Sequence, residues 1–159
     1  MEFLREINLI HSGLGLFHTI VATLAMIFGT IVLLKPKGTS KHRKLGYTYV
    51  GSMALMIISS FGIYNFGSFS LFHGFSVVST LSLLAGMYPV IKRLEGWYGK
   101  HYYFMSWSII GLYCAFWAEV GTRLLDMRYF WWVVMVSTMA TAFIGAILIN
   151  KQRKKLNFG

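Results

Sequence analysis

Hydrophobic positions fall into five long runs separated by short polar segments, at residues 12–34, 45–64, 69–91, 102–122 and 129–150. About 20 consecutive apolar residues are enough for a helix to cross a bilayer. None of the runs alternates apolar and polar residues as the strands of a membrane barrel do. The pattern therefore predicts an all-α polytopic membrane protein, an antiparallel bundle of five transmembrane helices that forms one domain over residues 1–159.

The composition predicts that the 159 residues carry no soluble domain. Hydrophobic residues make up 56% of the chain and charged residues only 13%, whereas a soluble domain has about a quarter of its residues charged. The net charge of +10 would suit a nucleic-acid binder, but so apolar a body does not. The single cysteine, Cys114, excludes a disulfide framework. We therefore expect membrane lipid, and no nucleic acid, as a partner.

The basic residues predict the orientation of the chain in the membrane. Twelve of the fifteen Lys and Arg residues lie in segments 35–44, 92–101 and 151–155. These segments fall on one side of a membrane only if the chain crosses it five times, and Lys and Arg mark the cytoplasmic side. The amino terminus is therefore predicted to be outside and the carboxyl terminus in the cytoplasm.

Histidines are the main candidates for chemistry, because ionisable groups in a membrane span are costly and usually functional. His11 and His18 are seven residues apart, on one stripe of the first helix. His73 lies one turn inside the third run, and Glu119 lies near the end of the fourth. We expect these four side chains to form a group near the outer face.

A second pair of histidines is predicted at the inner face. His42 begins the second helix, with Thr39 or Ser40 as the expected N-cap. His101 opens the fourth helix, and Met105 follows one turn later on the same face.

Haem binding is the first interpretation of this pattern. Two neutral imidazoles on facing helices can hold a haem iron inside a bundle, so His18 with His73, and His42 with His101, would each hold a haem b. Arg43 inside and Arg123 outside would meet the propionates. The protein would then transfer electrons, with a quinol or a redox protein as its partner.

Two other interpretations stay open. His18, His73 and Glu119, with His11 nearby, resemble the two-histidine, one-carboxylate sets of zinc and iron sites, which would suit a hydrolase or a metal sensor. Alternatively, the histidines form hydrogen bonds within the bundle or contact lipid phosphate. The chain would then be a non-catalytic assembly subunit, with the fifth helix available for homo-oligomerisation.

Several segments resemble domain-of-unknown-function family 2306, a family of bacterial membrane proteins. Residues 35–39 (KPKGT) and 42–46 (HRKLG) look like its "KGT…HR..G" signature. His18 precedes the signature, residues 70–73 (SLFH) resemble the family's entry to the third span, and residues 101–105 resemble its fourth span.

This resemblance implies a bacterial cytoplasmic (inner) membrane and brings no established activity. The paired histidines are similar in arrangement to those of two-haem transmembrane cytochromes. Members commonly end the fourth span near Pro-Gly-Arg, where this chain has Gly121-Thr122-Arg123, so Arg123 would keep the place of the family's arginine without the proline.

Overall fold

The computed structural model describes residues 12–64 and 68–156. Within these ranges the chain contains no strand and forms one short 3-10 helix, Met127–Tyr129, and five α-helices: α1 (Gly13–Leu34), α2 (Ser40–Ser60), α3 (Leu71–Lys92), α4 (Trp97–Leu124) and α5 (Phe130–Arg153). The predicted all-α class is confirmed for this part of the chain.

Four helical segments of the described chain are long and apolar enough to cross a membrane: Gly13–Leu34, Leu71–Lys92, Trp97–Leu124 and Met127–Arg153. Their large apolar side chains are often turned away from the protein, as in α5, where Trp132 is 70% exposed and Phe143 is 69% exposed. Contiguous apolar surface of this kind is favourable in lipid and unfavourable in water. The structure therefore indicates a membrane protein.

The helix α2 differs from its prediction and is not among these four segments. It begins at Ser40 rather than at 45 and ends at Ser60 rather than at 64, so its first five residues include Lys41, Arg43 and Lys44. From Leu45 to the end of α2, the helix rises about 24 Å, which is less than the roughly 30 Å of the hydrocarbon core. The described helices thus support four spans, not the predicted five.

Local capping explains where α1 begins and ends. The Ser12 hydroxyl accepts a hydrogen bond from the Gly15 backbone N–H at 3.1 Å, which makes Ser12 the N-cap. At the other end the Lys37 ammonium donates to the carbonyls of Val32, at 2.8 Å, and Leu33. Carbonyls at a helix end lack intrahelical donors, and the Lys37 side chain supplies donors to two of them.

The start and end of α2 are also set locally. Gly38 adopts a left-handed backbone with φ of 78°, and the Thr39 hydroxyl then accepts from the His42 backbone N–H at 3.0 Å. Thr39 is therefore the N-cap, one of the two residues expected. At the far end, the Ser59 and Ser60 hydroxyls donate to the carbonyls three residues before them, at 2.9 and 2.7 Å.

Contacts divide the chain into two compact units, residues 1–77 and 78–159, so that α3 contributes to both. In the first unit α1 packs on α2. The buried residues of α1 are Val21, Ala25 and Gly29, which are spaced four apart on one face. Small residues on such a stripe let two helices approach closely.

In the second unit α4 packs antiparallel to α5. The Tyr102 hydroxyl near the start of α4 donates to the Ile149 carbonyl near the end of α5, at 2.9 Å. Further along, Gly145 lies so close to Ile110 that an added Cβ would meet its side chain at 2.6 Å. These contacts run in opposite chain directions, as expected for sequential helices joined by a short connection.

Candidate functional site

His18 of α1 is held by a hydrogen bond whose direction the structure defines. Its Nδ1 atom lies 2.9 Å from the Ser59 hydroxyl of α2. That hydroxyl already donates its one hydrogen to the Met56 carbonyl at 2.9 Å. Ser59 therefore accepts from His18, so Nδ1 carries a proton, and in a neutral imidazole the lone pair is then on Nε2.

His73 is in the opposite tautomer. The backbone N–H of Ser70 donates to Nδ1 of His73 at 3.0 Å, and the Ser70 hydroxyl lies 3.0 Å from the same nitrogen. A nitrogen that accepts a backbone N–H holds a lone pair, so the neutral ring carries its proton on Nε2.

The contact between His73 and Ser70 also explains the start of α3. In a capping box, the third residue of a helix, usually Glu or Gln, reaches back to accept the N-cap backbone N–H. His73 takes that place relative to Ser70, and the backbone N–H of His73 donates to the Ser70 carbonyl at 3.0 Å. Residues 70–73, part of the family resemblance, therefore have a structural role at the helix start.

Three aromatic rings surround the His73 imidazole. Phe69 is stacked at a centroid distance of 5.0 Å, Tyr64 lies at 5.1 Å and Phe61 at 6.1 Å. His73 is only 2% exposed. Within residues 12–64 and 68–156, its Nε2 has no hydrogen-bond partner.

A second serine contact lies beside the first. Ser60 of α2 lies 2.7 Å from Ser76 of α3, hydroxyl to hydroxyl. With the histidine contacts this defines a serine–histidine cluster in the first unit, made of His18, Ser59, Ser60, Ser70, His73 and Ser76. His18 and His73, the two histidines predicted to act together, are each held by a different serine, and their pairing stays a prediction.

His101 of α4 is held by a backbone carbonyl in the second unit. Its Nδ1 lies 2.9 Å from the Gly86 carbonyl of α3, and a carbonyl can only accept, so Nδ1 carries the proton. Met105, one turn later, packs on the same glycine, where an added Cβ would meet its Sδ at 2.6 Å. The predicted shared face of His101 and Met105 is confirmed.

His42 is half-buried in the first turn of α2, and the neighbouring Arg43 is exposed. His42 belongs to the first unit and His101 to the second. Their pairing at the inner face stays a prediction.

Glu119 and Arg123 of α4 form an ion pair, with Oε1 and Nη2 2.6 Å apart. Both were predicted to serve cofactors, Glu119 as a metal ligand and Arg123 beside a propionate. Among the residues that the structure describes, no group of three or more His, Cys, Asp or Glu is placed to hold a metal ion. His11, the fourth member of the predicted outer group, lies outside those residues.

Sequence reasoning missed the partners that orient the histidines. Ser59 carried no signal as a candidate, since helical serines usually bond to their own backbone. The spacing Ser70-x-x-His73 could have been identified as a capping box. The role of Gly86 could not have been identified from the sequence, because it depends on which helix packs against this glycine.

No family model, no curated protein and no solved structure matches this chain. The resemblance to domain-of-unknown-function family 2306 therefore stays a prediction.

Proposed function

We propose that this chain is an integral membrane protein that binds haem b through histidines and transfers electrons. The observation that carries the proposal is the hydrogen bonding of two histidines: Nδ1 of His18 donates to Ser59, and Nδ1 of His101 donates to the Gly86 carbonyl.

A histidine that ligates iron through Nε2 usually donates its other ring N–H to a carbonyl or another acceptor. This bond fixes the tautomer and the orientation of the ring before the metal arrives. His18 and His101 both have it, and each is half-buried within a helical unit. When bound, haem would supply one-electron chemistry at these positions.

His73 constrains the form that the proposal takes. To ligate iron through Nε2, it would have to give up the proton on that nitrogen and lose its bond to the Ser70 backbone N–H. A single haem held by His18 therefore needs less rearrangement than the His18–His73 pair. The two-haem form adds His101 with His42 at the inner face, beside the exposed Arg43.

The proposed setting is a bacterial cytoplasmic membrane, with the amino terminus outside and five crossings. The support is the distribution of charge: twelve of fifteen Lys and Arg fall in segments 35–44, 92–101 and 151–155, which share a side only if α2 also crosses. As a short helix, α2 would span a locally thinned bilayer. A quinol or a redox protein would serve as electron donor.

The test is visible spectroscopy of the full chain, produced with haem supplied and purified in detergent. We expect a Soret band and, on reduction, an α band, with His18→Ala losing a bound haem and Ser59→Ala weakening its retention. His42→Ala distinguishes the two-haem form from the single-haem form. A protein with no haem absorption after reconstitution would refute the proposal, and metal analysis of the same sample would test the zinc or iron alternative.

A further inference from the structure

We propose that His73 is the hydrogen-bond donor of a binding site for a membrane-soluble quinone at the start of α3. The inference deepens the proposed function by giving a site to the quinone that forms when the proposed quinol donor loses its electrons. The role of this site in electron transfer rests on the proposed function. Quinone binding itself does not, because it needs no haem.

The first step concerns the proton on Nε2 of His73. Because Nδ1 accepts the Ser70 backbone N–H, Nε2–H is a hydrogen-bond donor. The side chain is 2% exposed, and none of residues 12–64 and 68–156 supplies an acceptor. A buried donor without a partner is destabilising, and nearly all such groups in native proteins find one. An acceptor oxygen is therefore expected at this position.

The second step concerns what covers the imidazole. The Phe61, Tyr64 and Phe69 rings that pack around His73 are themselves 37%, 58% and 67% exposed. The rings that pack on the imidazole are thus themselves exposed to the surroundings. Rotation of exposed rings is fast and would admit a planar molecule, which aromatic faces bind by stacking.

The third step concerns charge. In residues 12–77 every Lys and Arg lies between Lys35 and Lys44, at the far ends of α1 and α2 from the serine–histidine cluster. A buried phosphate or carboxylate would need a cation beside it, and the described part of this unit places none there. A neutral carbonyl needs only the N–H donor. A flat, neutral, lipid-soluble molecule with a ring carbonyl is a quinone.

The experiment uses haem-free full-length protein in lipid nanodiscs, with decylubiquinone and menadione as probes. With ¹⁵N-labelled histidine, we expect His73 to be the tautomer protonated on Nε2. Titration with either quinone should shift that Nε2–H resonance in a saturable way. No saturable shift, or a shift equal to that in empty nanodiscs, would refute the site, and water would then be the acceptor.

Two variants of His73 separate its role as hydrogen-bond donor to the quinone from its role in capping α3. In His73→Gln the amide oxygen can accept the Ser70 N–H as in a standard capping box, while the amide nitrogen still donates. His73→Leu removes both. We expect His73→Leu to bind decylubiquinone about tenfold more weakly, as loss of one buried hydrogen bond implies, and His73→Gln to stay within about threefold of wild type.

Tyr47→Leu is the matched control, since Tyr47 lies in α2 of the same unit, is 70% exposed and is not part of the serine–histidine cluster, so it should not affect quinone binding. Equal affinity of His73→Leu and wild type would overturn the proposal. Where His73→Leu fails to fold, the wild-type resonance decides alone. Quinone binding without haem absorption would refute the proposed haem function only, and haem absorption without quinone binding would refute this inference only.

Discussion

Replacing Gly86 by alanine tests the close approach of α3 to α4 that positions His101. A Cβ added at Gly86 would lie 2.6 Å from Sδ and 2.9 Å from Cγ of Met105. The methionine side chain can move away, but the Met105 backbone nitrogen, at 3.2 Å from the added carbon, moves only with its helix. The two helices must therefore separate by a few tenths of an ångström, which lengthens the bond from His101 to the Gly86 carbonyl.

Two opposing effects set the size of the change in stability. Alanine is favoured over glycine in a helix interior by about 0.5–1 kcal/mol. Overpacking a tight contact costs about 1–3 kcal/mol. We therefore expect a net loss of about 1 kcal/mol for Gly86→Ala.

Gly111→Ala is the matched control, because Gly111 lies in α4 and an added Cβ there has nothing within 4 Å. It should gain about 0.5–1 kcal/mol. The assay is unfolding by SDS titration in detergent micelles, followed by circular dichroism. ¹⁵N-histidine spectra of Gly86→Ala should also show a weaker hydrogen bond at Nδ1 of His101.

A double-mutant cycle isolates the contact. Met105→Ala removes Sδ and Cγ, the nearest atoms, so Gly86→Ala should cost less in that background, with a coupling of about 1 kcal/mol. If Gly86→Ala instead stabilises the protein as much as Gly111→Ala does, α3 and α4 do not approach closely at this point.

Three further predictions concern other contacts. Tyr102→Phe removes the buried hydrogen bond to the Ile149 carbonyl and should lower the free energy of unfolding by about 1 kcal/mol in the same assay. Burial lowers the pKa of Lys37, so its protonation opposes folding below the folded-state pKa. Thermal unfolding measured against pH should show that the destabilisation from the Lys37 charge becomes smaller as pH rises through the folded-state pKa toward the ordinary 10.5. Hydrogen bonds from the Arg128 side chain and backbone lower the pKa of Asp126. The stabilisation from Asp126 is thus present above its ordinary pKa of 3.8 and is lost as pH falls through the lower folded value. In Arg128→Gln the Asp126 pKa should move back toward 3.8, as measured by carboxyl ¹³C titration.

Helix positions were predictable wherever an uncharged run met a capping residue. The run from residue 12 to 34 gave α1 to within one residue, since Ser12 caps its start. The apolar run alone placed α2 five residues late, at 45, because it excludes Lys41, Arg43 and Lys44, whereas the expected cap at Thr39 or Ser40 marked the start correctly. A helix tolerates charged residues in its first turn when they lie beyond the apolar region, so hydropathy marks the apolar part of a helix and not its ends.

The candidate site was predictable only in part. Intramembrane histidines could be identified from the sequence, because their cost in lipid makes them stand out. Their hydrogen-bond partners could not, because Ser59 and the Gly86 carbonyl are brought to His18 and His101 by helix packing. The pair Glu119 and Arg123 is different: its four-residue spacing on one helix already indicates an ion pair.

The segments that resemble a known family have identifiable structural roles in this fold. Lys37 caps the end of α1, Gly38 makes the left-handed turn, and Thr39 caps α2. In residues 70–73 the Nδ1 atom of the histidine completes a capping box. The presence of these residues at two helix junctions is therefore explained without a cofactor. The evidence for function lies in the atoms that take no part in these helix junctions. At His73 this is the buried N–H of Nε2. Local structure explains one nitrogen of that ring and a ligand would explain the other, so the two can be tested separately.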